Sequence, residues 1–275
     1  MENRHQLRVG DRDIITRQAI IEWQENAPWI DMRQVEQDLI ISRALTAIYS
    51  DEYLASRLAF RGGTALHRIY FSPPARYSED IDLVQIVEEP IGRTLDTLRK
   101  ALDFLGKPAI LQKKNNNTLV FRTVSTYPPE TPLKLKIEIN CNEHFTVHGY
   151  VKVPYGMSGT WYSGNCDLVT FSLDELIGTK IRALYQRRKG RDLFDLYQAA
   201  VAKDTNPDNA VFCFKKYIAF SDLNVPTGKE YLINLEKKMN NRLFVSDTEG
   251  ISRTGIEYIP IQAFDIVKST FIDRI

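Results

Sequence analysis

The sequence predicts an α+β protein: a mixed α/β half up to about residue 170 (domain 1–170) and a helical half after it (domain 171–275). Three observations predict this. LKLKIEIN, residues 133–140, alternates strictly, with Leu133, Leu135, Ile137 and Ile139 on one face and Lys134, Lys136 and Glu138 on the other, the pattern of a half-buried strand. TLVFRTVS, residues 118–125, is rich in β-branched residues. From FSLDEL onward the character turns helical: Ser172 at an N-cap and Glu175 three residues later fit a capping box.

The elements follow in order. Residues 13–50 read as two helical pieces starting at Asp13, with Pro28 ending the first or sitting in the break. In the second piece Val35, Leu39, Ile40, Leu45 and Ile48 recur at helical spacing. Residues 58–60 read as a short strand running into Gly62 and Gly63, and residues 64–70 as a helix closed by the proline-bearing loop FSPPARYS. Residues 80–86 alternate toward a strand, and 92–105 toward an amphipathic helix. The triple Asn at 115–117 and the segment TYPPETP are expected turns, and residues 145–169 are expected to be irregular, being rich in glycine and aromatics. Helices are expected at 191–201, 210–220 and 228–241, and a last one from Ile261 onward.

The chain has 275 residues, 43% hydrophobic and 26% charged. This excludes an intrinsically disordered chain. No apolar run approaches the ~20 residues that span a bilayer, and residues 1–13 do not read as a signal peptide. Cys141, Cys166 and Cys213 are widely spaced, with no CxxC, so a reduced, cytoplasmic protein without membrane partners is expected. The net charge of +1 supplies no global attraction for nucleic acid, so any such binding must come from local basic patches.

Two short segments carry the chemistry. RGGTALHR at 61–68 is a glycine turn opening a helix, which can present backbone amides to phosphate oxygens. SEDIDL at 78–83 places Asp80 and Asp82 at i and i+2, on the same face of a strand. Magnesium takes hard oxygen ligands, usually one or two carboxylates plus phosphate oxygens, and two metals stabilise attacking and leaving oxygens in phosphoryl chemistry. Together the segments read as a site holding a nucleoside triphosphate through Mg2+ (or Mn2+). Glu138 is the expected third carboxylate and Glu143 a weaker one. The plain alternatives are a chance pair of acids on a surface strand and an ordinary tight turn. GxxxxGK[ST] is absent, so the turn is not a P-loop. The histidines at 5, 67, 144 and 148 form no zinc set, His144 and His148 being expected as structural or surface residues. No GxSxG or Cys/His nucleophile pattern occurs.

The second constellation is GTKIRALYQRRKGRDLFDLY, residues 178–197. From Lys180 to Arg191 it holds six cations and no acid, and the acids return at Asp192 and Asp195. On one helix Lys180, Ala183, Leu184 and Arg187 would share a side. The stretch could bind a triphosphate tail, with Lys180 as the point charge, Arg187 and Arg191 beside it, and Asp195 orienting Lys180 or an arginine. The plain alternative is a solvated basic helix followed by one whose first turn favours Asp192 through the helix dipole.

These segments resemble the AbiEii/AbiGii toxins, including the MenT toxins, of the DNA polymerase β-like nucleotidyltransferase superfamily. The likeness rests on GGTAL at 62–66, RYSEDID at 76–82 and KIRALYQRRKGRDLFDL at 180–196, in the family's order; KIEIN at 136–140 also resembles the strand before the family's helical half. The resemblance implies a polymerase β-like transferase core with a mixed sheet and a helical C-terminal half. It implies nucleotide phosphate contact at Gly63 and Thr64, metal at Asp80 and Asp82, Ser78 near the nucleotide, Lys180 holding it, and Asp195 completing the catalytic set. It further implies a toxin of a toxin–antitoxin or phage-defence system, with an NTP substrate, transfer to the 3′ end of tRNA that blocks aminoacylation, and a cognate antitoxin. Two rival readings stay open: the same chemistry on a small-molecule or protein acceptor, and a non-catalytic module that binds nucleotide or a partner.

Overall fold

The computed structural model describes residues 14–202, 204–221 and 223–275. The readings at Asp13, His5 and residues 1–13 lie outside them. The chain divides into two compact units: residues 1–60, 79–144 and 152–169, and residues 61–78, 145–151 and 170–275.

The first unit is built on a seven-stranded mixed sheet. It opens with helices α1 (Arg17–Trp23), α2 (Met32–Ser50) and the single turn α3 (Glu52–Ala55). Val35, Leu39, Ile40, Leu45 and Ile48 are all buried, as their spacing predicts, but so are Gln37, Asp38, Ser42 and Thr46, so α2 is enclosed nearly all round rather than on one stripe. Its buried Asp38 carboxylate accepts the indole N–H groups of Trp23 (2.9 Å) and Trp29 (3.3 Å), which fixes the break around Pro28.

The strands are β1 (Leu58–Arg61), β2 (Asp80–Gln85), β3 (Ala109–Lys113), β4 (Asn116–Val124), β5 (Pro132–Asn140), β6 (Tyr150–Met157) and β7 (Gly164–Phe171), in the order β3-β4-β5-β2-β1-β7-β6. Helix α5 (Gly92–Ala101) and one 3-10 turn (Asp103–Leu105) occupy the stretch predicted as one helix; the α-helical part ends before Gly106, whose φ is +74°. β2 and β5 are parallel, while β3, β4 and β5 run antiparallel in turn. On β5, Leu135, Ile137 and Ile139 are buried while Lys136, Glu138 and Asn140 are half-exposed, and on β2 Ile81 and Leu83 are buried between half-exposed Asp80 and Asp82.

Two readings are corrected. Residues 145–169 are not irregular: they contain β6 and most of β7. The misleading signal was Pro154 and Gly156 within β6, which is the last strand in the sheet order, and an edge strand tolerates proline because its outward N–H needs no partner. Asn116 and Asn117 are not turn residues either; they pair with Asn140 and Ile139.

The second unit is mostly helical: α4 (Gly62–Ala65), then one π turn (Leu66–Tyr70), α6 (Leu173–Gln186), α7 (Gly190–Ala202), α8 (Pro207–Phe220), α9 (Gly228–Met239), α10 (Arg242–Val245) and α11 (Pro260–Thr270). The Ser172 hydroxyl accepts the Glu175 N–H at 3.4 Å. The reciprocal half of the expected capping box is replaced by something else. The buried Glu175 carboxylate accepts the Thr146 hydroxyl (2.8 Å), the N–H groups of Val147 (2.8 Å) and His148 (3.1 Å), and the Tyr217 hydroxyl (2.7 Å). A complete capping box occurs at Thr227 and Glu230, opening α9. The run predicted as one basic helix is two: α6 stops at Gln186, and Arg187 is extended (φ −125°, ψ 166°). Arg187 therefore does not share a helix face with Lys180.

Candidate active site

The glycine turn has a local physical cause. Gly62 has φ +82°, a left-handed conformation that glycine adopts without steric cost. At Gly63 an added Cβ would lie 2.5 Å from Nη2 of Arg76, so the missing side chain admits that guanidinium against the backbone. Thr64 donates its hydroxyl hydrogen to Ser78 Oγ at 2.7 Å, joining the first two motifs.

Arg76 is 2% exposed and enters a buried charge network. Its Nε and Nη2 donate to the two oxygens of Asp195 at 2.7 and 2.8 Å, a bidentate pair with fixed orientation. The Lys180 ammonium lies 2.6 Å from Asp195 Oδ2 and 3.2 Å from Asp192 Oδ1. Arg187 closes on Asp192 with Nε at 2.7 Å and Nη2 at 2.8 Å. His67 places Nε2 2.9 Å from Asp195 Oδ1. The strand-like segment carrying Arg76 is pinned by Tyr77 N–H to Ile251 O (2.7 Å) and Arg253 N–H to Ala75 O (2.9 Å).

The electrostatics follow from burial and pairing. Burial alone would push the Asp195 carboxyl up, but Arg76, Lys180 and His67 together outweigh it and hold it well below the usual carboxylate range. Asp192 is likewise lowered against its burial by Lys180 and Arg187. Burial, then the Arg76 charge, depress His67 to about 4. His67 is therefore neutral at pH 7, and its Nε2–H donates to Asp195. Three cations thus face two carboxylates. Of these cations, Lys180 is 6% exposed and Arg187 54% exposed.

The structure thus brings together Lys180, Asp195, Arg187 and the Gly62–Gly63–Thr64–Ser78 turn within one unit. Arg191 is drawn away: its N–H bonds Asp247 Oδ2 at 3.1 Å and its guanidinium lies 3.8 Å from the same carboxylate. Asp192 is not a dipole ornament on a solvated helix; it is fully buried. Sequence reasoning assigned no role to Arg76 or His67. Arg76 stood within a quoted motif, but its partner is 119 residues away, beyond the reach of any periodicity.

In the sheet unit, Asp80 and Asp82 alternate on β2 and share a face. The register sets Asp82 beside Glu138 and Asp80 beside Lys136, so Glu138 lies on that face too. Glu138 is held in an ion pair by Lys136, and among the described residues no group of three or more His, Cys, Asp or Glu side chains is gathered to ligate a metal. Two hard-oxygen carboxylates suit Mg2+ or Mn2+ shared with phosphate oxygens, rather than an all-protein cage.

The remaining expected residues are structural. His144 Nδ1 contacts Gln85 O at 2.8 Å and His148 Nε2 lies 3.3 Å from Cys213 Sγ. All three cysteines are free, and burial pushes the Cys213 thiol up to about 12, so it is no nucleophile. Among the described residues no helix is long and apolar enough to cross a membrane.

Comparison with solved structures supports the fold. MenT4, a nucleotidyltransferase toxin from Mycobacterium tuberculosis H37Rv, matches at 12% identity and a TM-score of 0.60, over 94% of this chain and 89% of that one. JHP933 from Helicobacter pylori matches at 14% identity and a TM-score of 0.56, over 87% and 90%. No curated protein sequence matches. The family model described as the nucleotidyl transferase AbiEii toxin of type IV toxin–antitoxin systems matches residues 43–257, a span that includes all three motifs, and the chain belongs to that family.

Proposed function

We propose that this nucleotidyltransferase toxin transfers a nucleoside monophosphate from an NTP to RNA, at the tRNA 3′ acceptor end, and so blocks aminoacylation and translation. The observation that carries the reading is, in the sheet unit, Asp80 and Asp82 half-exposed on one strand face; in the helical unit, Asp192 and Asp195 lie buried beneath cations, which supports it separately. Asp80 and Asp82 would hold Mg2+ or Mn2+, with Glu138 as a further carboxylate on the same face. The metal, when bound, would supply Lewis-acid polarisation of phosphate oxygens. Lys180 and Arg187 would neutralise the triphosphate, with Arg191 adding charge at longer range. Gly62, Gly63 and Thr64 would approach the phosphates through the backbone and the Thr64 hydroxyl, and Ser78 would stand beside them.

Asp195 acts by orienting Lys180 rather than by touching substrate, because it is fully buried and engaged by Lys180, Arg76 and His67. The protein would act in the cytoplasm, in a toxin–antitoxin or phage-defence setting, restrained by a cognate antitoxin. The test is incubation of the protein with divalent cation, each labelled NTP and total tRNA. Label entering RNA supports the reading; no label with any of the four nucleotides contradicts it.

A further inference from the structure

The turn between α6 and α7 leaves charge that the buried network does not use. Asp192 pairs with both Lys180 and Arg187. Arg188 and Lys189 remain exposed beside them, with no ion pair among the described residues. Two further exposed cations, Lys237 and Arg242, stand on elements that touch this turn. Lys238 donates to the carbonyls of Leu184 and Tyr185, so the end of α9 lies against the end of α6, and exposed Lys237 precedes it. The start of α7 touches α10: a Cβ on Gly190 would meet Phe244 O, and exposed Arg242 opens α10.

The crowding has a cost. Lys238 is lowered to about 8 by burial, which Asp192 opposes and Arg188 aggravates. In a chain whose net charge is only +1, such a cluster is a local concentration and not a background. Glu236 is the neighbouring acid on α9 and does not pair with the cluster.

We infer that Arg188, Lys189, Lys237 and Arg242 form a docking edge for the phosphate backbone of RNA, contiguous through Arg187 with the Lys180 network. The inference rests on the RNA reading above. Polyanion binding by such an edge releases counterions, so affinity falls steeply with salt. The edge reads no base; it holds the acceptor RNA while the site acts on its end.

The test uses the full chain with all four residues changed to Gln, and a second variant carrying only Arg188→Gln and Lys189→Gln. Binding of fluorescently labelled tRNA is followed by anisotropy between about 50 and 200 mM salt. The four-fold variant is expected to bind about tenfold or more weakly, with a log–log salt slope shallower by roughly 3. The double variant should fall between it and the parent, and NTP binding and melting temperature should be unchanged. Equal affinity and slope in parent and variants would overturn the inference, as would equally tight binding of polyglutamate, which would assign the edge to an acidic protein. Patch-dependent RNA binding without label transfer would sink the transfer reading and leave the edge standing. Label transfer with patch-independent binding would do the reverse.

Discussion

Two pairs of aspartates, one in each unit, show how the same side chain is put to opposite uses. Asp80 and Asp82 sit two apart on a strand, half-exposed, beside hydrophobic neighbours that face the other way. Asp192 and Asp195 sit three apart on a helix, fully buried, with both oxygens of each engaged by Arg76, Lys180, Arg187 or His67. A carboxylate held by several cations in a dry interior has little left to offer a metal. One half-exposed at a strand face is reached by water. In the reading proposed above, the strand pair is the chemical one, while the helix pair fixes the geometry of Arg76, Lys180 and Arg187 within its own unit.

The comparison breaks most visibly in stability. Asp195→Ala would leave Arg76 and Lys180 buried without their shared partner, a loss of about 3–5 kcal/mol that denaturant unfolding would measure. An unfolding curve like that of the parent would show that Asp195 does not organise the network.

The next effect is on pH. His67 is depressed from an ordinary 6.5 to about 4, so in the window between those values the unfolded chain takes up a proton that the folded chain refuses. Stability is fully present above 6.5 and falls as pH drops toward 4, by about 3 kcal/mol. Asp192 and Asp195, lowered as well, act in the same direction at still lower pH. Chemical denaturation at a series of pH values should show this slope, and His67→Leu should remove the part between 6.5 and 4. A slope unaltered by that substitution would place the titration elsewhere.

A smaller effect is expected at Gly63→Ala. The new methyl would displace the Arg76 guanidinium, 2.5 Å from the built Cβ, and strained packing of this kind costs about 1–3 kcal/mol. Thermal melting would read it, and an unshifted melt would mean that Arg76 can move aside freely.

Much of this was legible in the chain. The alternation of LKLKIEIN placed Glu138 opposite the buried face of β5, and the spacing of SEDIDL gave the shared face of Asp80 and Asp82, because strand periodicity is local. The helical half was announced by Ser172. What stayed hidden was non-local. Nothing near Arg76 or His67 points to Asp195, whose partners in space come from the π turn, the segment carrying Arg76 and α6. Edge strand β6 was concealed by Pro154, and the stop of α6 at Gln186 by a run of cations that would continue a helix equally well. Glu175 looked like half of a capping box because spacing alone cannot tell which donors a carboxylate will find.

The central claim, that the strand pair is chemical and the helix pair structural, is tested most directly by Asp82→Asn. The variant should melt within about 0.5 kcal/mol of the parent and transfer no labelled nucleotide to tRNA under conditions in which the parent does so with Mg2+ and stops on chelation. Retained labelling by Asp82→Asn, or undiminished transfer by the chelated parent, would contradict the account.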